Sequence, residues 1–127
     1  MQVTIKVLLV DKDPLALRTF DMLLSDEKDI DVIGMFHNVN EAVNVFEQIM
    51  PDIMILDVRS VSKDDVTRIQ RDNQKLKIVA LINFDTTYEI GKVKNIGLSD
   101  YITKFGDIKD IAKIIRSFEF TSLVATF

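Results

Sequence analysis

Pro51-Asp52-Ile53-Met54-Ile55-Leu56-Asp57 decides the fold. Its four consecutive apolar residues, Ile53 to Leu56, show no polar alternation, the pattern of a strand covered on both faces in a parallel sheet. The run delivers a carboxylate, Asp57, at its carboxyl end. Ile5 to Val10 and Ile78 to Ile82 are similar near-continuous runs, and Ile30 to Gly34 and Tyr101 to Thr103 complete the set of strand candidates. Between them the apolar period changes to that of a helix: Leu17, Phe20 and Leu24, then Ala42, Val45, Phe46 and Ile49, and finally Ile108, Ile111, Ala112 and Ile115 in a last helix from Ile108 to Phe118. Strands alternating with helical stripes predict an α/β chain of βα units around a doubly wound parallel sheet.

Local signals mark the helix ends. Asp13 before Pro14 and Asn40 before Glu41 are candidate N-caps, and Gly97 after Asn95 and Ile96 reads as a helix end. Lys63 to Asn73 holds only Val66 and Ile69 as apolar residues, which predicts a short, exposed helix.

The 127 residues suit one domain, able to remove roughly two-thirds of its unfolded surface from water. A composition of 47% hydrophobic and 28% charged residues excludes disorder, and a net charge of -4 argues against direct binding to nucleic acid or anionic membranes. The absence of cysteine removes disulfides and thiolate metal sites and agrees with a cytoplasmic location. The apolar run before Asp11 is too short for a signal sequence or a membrane span. Residues 1–118 are read as the domain. Residues 119–127, with Phe120, Leu123, Val124 and Phe127, are read as an apolar tail or the start of a linker to an output domain absent from this chain.

In an open parallel sheet, ligands bind beyond the carboxyl ends of the strands, near the point where strand order reverses. Asp11, Asp57 and Lys104 follow the first, third and fifth strand candidates, and with strand order 2-1-3-4-5 the three ends converge. The sequences here are Leu8-Leu9-Val10-Asp11 leading to Pro14, Asp31-Val32-Ile33-Gly34, Pro51 to Asp57, and Gly97-Leu98-Ser99-Asp100-Tyr101-Ile102-Thr103-Lys104. In this order they resemble the receiver domains of bacterial two-component response regulators, from about Lys6 to Phe118, and most closely the subfamily with a C-terminal helix-turn-helix.

The resemblance implies a flavodoxin-like (βα)5 fold with a five-stranded parallel sheet, no enzymatic activity, and a role in signal transduction that controls an output domain or partner, usually transcription. It implies phosphoryl transfer from a sensor histidine kinase to Asp57, with Lys104 on the phosphoryl oxygens. It also implies Mg2+ held by Asp11, Asp57 and the backbone carbonyl of Arg59, switch positions at Ile82 and Tyr101, and a homodimer, with DNA reached only through an output domain. A metaphosphate-like transition state needs in-line positioning and positive charge on its equatorial oxygens, which such a set supplies.

Several residues depart from the family pattern. The second acid expected beside Asp11 is Lys12, a two-unit change of charge; one unit-charge interaction at 4 Å is worth roughly 4 kcal/mol at an effective dielectric near 20, enough to weaken Mg2+ binding by orders of magnitude. Ile82 replaces the switch hydroxyl, so a relay to Tyr101 would need Asn83 or Thr86 instead. The loop Val58-Arg59-Ser60-Val61-Ser62 lacks the family's Pro and Gly, and Phe105 follows Lys104 where a proline is usual. The expectation is an atypical receiver with Asp57 neutralised by Lys12, Lys104 or Arg59.

Other readings are open. The fold could serve as a phosphorylation-independent interaction module. Asp11-Lys12-Asp13 resembles the motif of haloacid-dehalogenase-type phosphatases, with Asp11 as nucleophile and Asp13 as general acid. A flavin carrier of the same strand order is disfavoured by a first loop poor in Ser, Thr and Gly. Asp13 reads as a cap rather than a ligand, and His37 as a surface residue.

Overall fold

The computed structural model describes residues 4–104 and 108–118, the last segment with side chains from Ile111 onward. The elements are β1 (Ile5–Val10), α1 (Pro14–Leu24), β2 (Ile30–Phe36), α2 (Val39–Val43), α3 (Phe46–Ile49), β3 (Ile53–Asp57), α4 (Lys63–Asp72), β4 (Lys77–Ile82), α5 (Thr87–Asn95), β5 (Tyr101–Thr103) and α6 (Ile108–Ser117), with a 3-10 turn at Val58–Ser60. The five strands form one parallel sheet of order β2-β1-β3-β4-β5. The tail from residue 119 and the side chain of Ile108 lie outside the described residues.

Both faces of the sheet are dry, which is why β1, β3 and β4 are apolar without alternation. Val7, Leu9, Ile53, Ile55, Val79, Leu81 and Ile102 face α1 and α6, meeting Leu17, Phe20, Leu24, Ile111, Ala112 and Ile115. The intervening residues Leu8, Val10, Met54, Leu56, Ala80 and Ile82 face the other helices, meeting Val39, Ala42, Phe46, Val66, Ile69 and Val93. Each of these side chains larger than alanine contributes about 1.5–3 kcal/mol of transfer free energy.

Two local expectations are corrected. The cap of α2 is Asn38, whose Oδ1 accepts from the Glu41 N–H at 2.9 Å, so Asn40 lies inside the helix. The stripe from Ala42 to Ile49 is interrupted, α2 ending at Val43 and α3 starting at Phe46. Val43, Asn44 and Val45 all have low helix propensity, and only Ala42 and Phe46 of the stripe are fully buried.

The helix expected over Lys63 to Asn73 is α4, 10 residues long and largely exposed. It is anchored by Val66 and Ile69, each 1% exposed. Two apolar residues suffice because i and i+3 share the face that meets the sheet. Its start is a capping box: Ser62 Oγ accepts from the Asp65 N–H at 3.2 Å and Asp65 Oδ2 accepts from the Ser62 N–H at 3.1 Å. Ser62→Ala is expected to lower the unfolding free energy by about 1 kcal/mol in urea titrations.

Other ends agree with the sequence. Asp13 caps α1 through the Leu15 N–H at 3.0 Å. Gly97, at φ 89, closes α5 as the Leu98 N–H donates to the Val93 carbonyl at 3.1 Å; the left-handed backbone explains the glycine.

Candidate functional site

The chain leaves β1 for β2 on one side and later enters β3 on the other, so the crevice between β1 and β3 is the point where strand order reverses. Asp11 and Asp57 stand at its mouth, each only 3% exposed. Lys104 follows β5, where its N–H donates to the Ile82 carbonyl at 2.7 Å. Its Nζ lies 2.7 Å from both Asp11 Oδ2 and Asp57 Oδ2. The convergence expected of these three residues is therefore present.

The turn after β3 adds a second cation. Asp57 acts as N-cap of the 3-10 turn, with Oδ1 accepting from the Arg59 N–H at 2.8 Å. The same turn brings the Arg59 guanidinium back over the carboxylate. Nε donates to Oδ1 at 3.1 Å and Nη2 donates to Oδ2 at 2.8 Å. Nη2 also donates to Asn83 Oδ1 at 3.3 Å. Asn83 is held by Glu89, whose carboxylate accepts from the N–H groups of Asn83 and Phe84 at 3.0 and 2.8 Å.

These contacts set the protonation states. Burial pushes the Asp57 carboxyl up, but hydrogen bonds from Arg59 and Lys104 outweigh it and hold the group at about 2, below its ordinary 3.8. Burial pushes the Lys104 ammonium down, and Asp11 and Asp57 more than reverse this, so it stays charged. Arg59 is raised, chiefly by its hydrogen bonds to Asp57.

Asp11 Oδ1 accepts from the Asp13 N–H at 3.0 Å. Its Oδ2 is buried outside hydrogen-bond alignment, held by its ion contact with Lys104. This arrangement does not fit a divalent cation. Both Asp57 oxygens already face cations, Asp11 faces one, and among the described residues no group of three or more His, Asp or Glu side chains could hold a metal. Arg59, whose backbone carbonyl was expected as a further ligand, engages Asp57 through its N–H and its guanidinium.

The remaining candidates divide clearly. Lys12 is exposed and is not among the cations on Asp57, which corrects that alternative. Ile82, 1% exposed, belongs to the apolar cluster, and Tyr101 packs half-buried against it. Thr86 caps α5 through the Glu89 N–H at 3.2 Å, so Asn83 is the loop residue that reaches the site. Asp13 is a cap and His37 is exposed. Glu89 was missed, although Thr86-x-x-Glu89 is a capping-box pattern. For phosphatase chemistry, Asp11 would need an oxygen free to attack, and its two are held by the Asp13 N–H and Lys104.

The family model of the response regulator receiver domain matches residues 7–116. The response regulator protein VraR of Staphylococcus aureus (strain Mu3 / ATCC 700698) is 31% identical over 116 residues, which covers 89% of this chain and 56% of that protein. This chain thus spans about half of that relative. The signal receiver domain of the response regulator NarL from Mycobacterium tuberculosis superposes with a TM-score of 0.74 at 15% identity, covering 91% of this chain and 99% of that one. RcsB from Salmonella enterica serovar Typhimurium, solved bound to a promoter with a phosphomimetic, gives a TM-score of 0.77 at 18% identity, covering 89% of this chain and 66% of that one. At these identities the solved structures support the fold.

Proposed function

Because this chain belongs to the response regulator receiver domain family, we propose that it is a signalling module in which Asp57 serves as the hub of an ion cluster rather than as an ordinary Mg2+-dependent phosphoacceptor. Receivers are signalling domains and not enzymes, and the chain is the receiver of a two-component response regulator. The finer reading rests on one observation. Asp57 accepts four hydrogen bonds: Arg59 N–H and Nε on Oδ1, Arg59 Nη2 and Lys104 Nζ on Oδ2. A carboxylate offers about four lone-pair sites, so no oxygen is free for in-line attack on a phosphohistidine.

Three further features support the reading. Lys12 replaces a metal-binding acid, the site as arranged does not fit Mg2+, and Ile82 gives a phosphoryl group no hydroxyl to bond. The cluster then holds the domain in one state, and the signal reaches it without a phosphoryl group. Control of transcription through a DNA-binding segment beyond this chain, as a homodimer, is the output that suits relatives such as RcsB. A sensor histidine kinase remains a candidate partner as a docking protein.

The chain incubated with acetyl phosphate and Mg2+ is expected to show no adduct by intact mass. Stoichiometric acyl phosphate that disappears in Asp57→Asn would sink the proposal. The second reading, an ordinary acceptor, is supported by one observation: the Lys104 ammonium lies 2.7 Å from Asp57 Oδ2.

A further inference from the structure

Beside the ion cluster, on the α1 side, lies a cavity of about 380 Å3 lined in part by Leu15, Ala16, Phe20, Asn83, Arg59 and Lys104. Its size falls within the range of small-molecule sites. The cluster is layered across the wall of this cavity. Asp11 and Asp57 lie beneath with side chains 4% exposed, while Arg59 lies outside with its side chain 47% exposed. Arg59 uses Nε and Nη2 on Asp57 and Asn83, which leaves its Nη1 donors for another acceptor. The two acids and two cations cancel in sum, yet the cavity meets the cations.

The remaining wall is apolar and partly open. Leu15 is 68% exposed at the first turn of α1, a large aliphatic surface lining the same cavity as the half-exposed Arg59 guanidinium. Asp13 also borders the cavity, and its Oδ1 is occupied as the cap of α1. Thr19 adds a hydroxyl on the α1 side.

We propose that this cavity binds a small organic acid, its carboxylate on Arg59 Nη1 and its apolar body against Leu15, Ala16 and Phe20. The inference rests on the reading above, in that Arg59 must stay folded onto Asp57 to border the cavity. An acid bound there would add its charge to the outer layer and couple a soluble effector to the Asp57 cluster without any phosphoryl group. A fully hydrogen-bonded Asp57 and an accessible guanidinium are then two sides of one device.

The probe is 3-phenylpropanoate, compared with its neutral analogue 3-phenylpropanamide, in 15N-resolved NMR titrations of the full chain without Mg2+ or phosphodonor. The acid is expected to give saturable shifts at the amides of Ala16, Thr19 and Asn83, and the amide analogue none. Arg59→Met should weaken binding about tenfold, the loss of one charge-assisted hydrogen bond. Leu15→Asp, at an exposed position that leaves the core intact, should weaken it by about as much. Equal shifts from both probes, no saturable shift, or unchanged affinity in both variants would each overturn the proposal. An Asp57 adduct in the separate phosphodonor experiment would remove the phosphorylation reading and leave this titration to be judged on its own.

Discussion

Lys104→Met is expected to lower the free energy of unfolding at pH 7 by about 3–5 kcal/mol, the usual cost of breaking a buried ion pair from one side. Methionine keeps the length and apolar stem of lysine, so the loss comes from the ammonium. That group is 2.7 Å from both Asp11 and Asp57, and the acid side chains are 4% exposed. Asp57 would keep Arg59, but Asp11 would lose the ion contact that is its only one among the described residues, while remaining buried. Arg59, half exposed, stands closer to the surface regime in which a pair is worth about 1 kcal/mol or less.

The pH dependence supplies a second readout. The Asp57 carboxyl titrates at about 2 in the folded chain against an ordinary 3.8. A lowered folded value means stabilisation that is complete above the unfolded pKa and lost as pH falls toward the folded one. The difference between wild type and Lys104→Met should therefore be largest above about pH 5 and shrink as pH approaches about 2. Urea titrations across that range decide it. A variant within about 1 kcal/mol of wild type at pH 7 would show that Asp11 and Asp57 are better solvated than their burial indicates.

Much of this site was legible before the structure. Apolar runs ending in Asp11 and Asp57 announce strands covered on both faces, and topology alone carries the ends of β1, β3 and β5 to one side of the sheet. Lys104 needed no more than its place after β5. What sequence could not supply was the direction of side chains on turns. Arg59 was one of three cations expected on Asp57, and it is the 3-10 turn capped by Asp57 that folds its guanidinium onto that carboxylate beside Lys104. Lys12, adjacent to Asp11 in sequence, was another of those cations, yet it is exposed. The misplaced cap of α2 has the same origin: Asn38 and Asn40 are chemically equivalent, and only the extended backbone of Asn38, at φ -148 and ψ 163, distinguishes them.

Combining Lys12→Asp, Arg59→Ala and Ile82→Thr is expected to turn a chain that forms no adduct with acetyl phosphate and Mg2+ into one phosphorylated on Asp57. Each change answers a separate obstacle. Arg59→Ala removes two of the four donors on Asp57, Nε and Nη2, while the Arg59 backbone N–H and Lys104 Nζ stay. Lys12→Asp restores an acid beside Asp11, and the two substitutions together move the local charge by three units, each worth roughly 4 kcal/mol at 4 Å and an effective dielectric of 20. Ile82→Thr supplies a hydroxyl at the end of β4.

The last change has a cost. Ile82 is 1% exposed in an apolar cluster, and a hydroxyl there without a partner costs about 1–3 kcal/mol. Stability must therefore be measured beside phosphorylation. Arg59→Ala alone should stay unphosphorylated, since Lys12 still opposes the metal. Lys12→Asp alone should also fail, since Arg59 still covers both oxygens of Asp57. A folded triple variant without an Asp57-dependent adduct would mean that the loop between β3 and α4, which lacks the family's Pro and Gly, limits the chemistry instead. The order of gain across single and combined variants thus separates charge at the metal site, altered by Lys12, from access to the nucleophile, covered by Arg59.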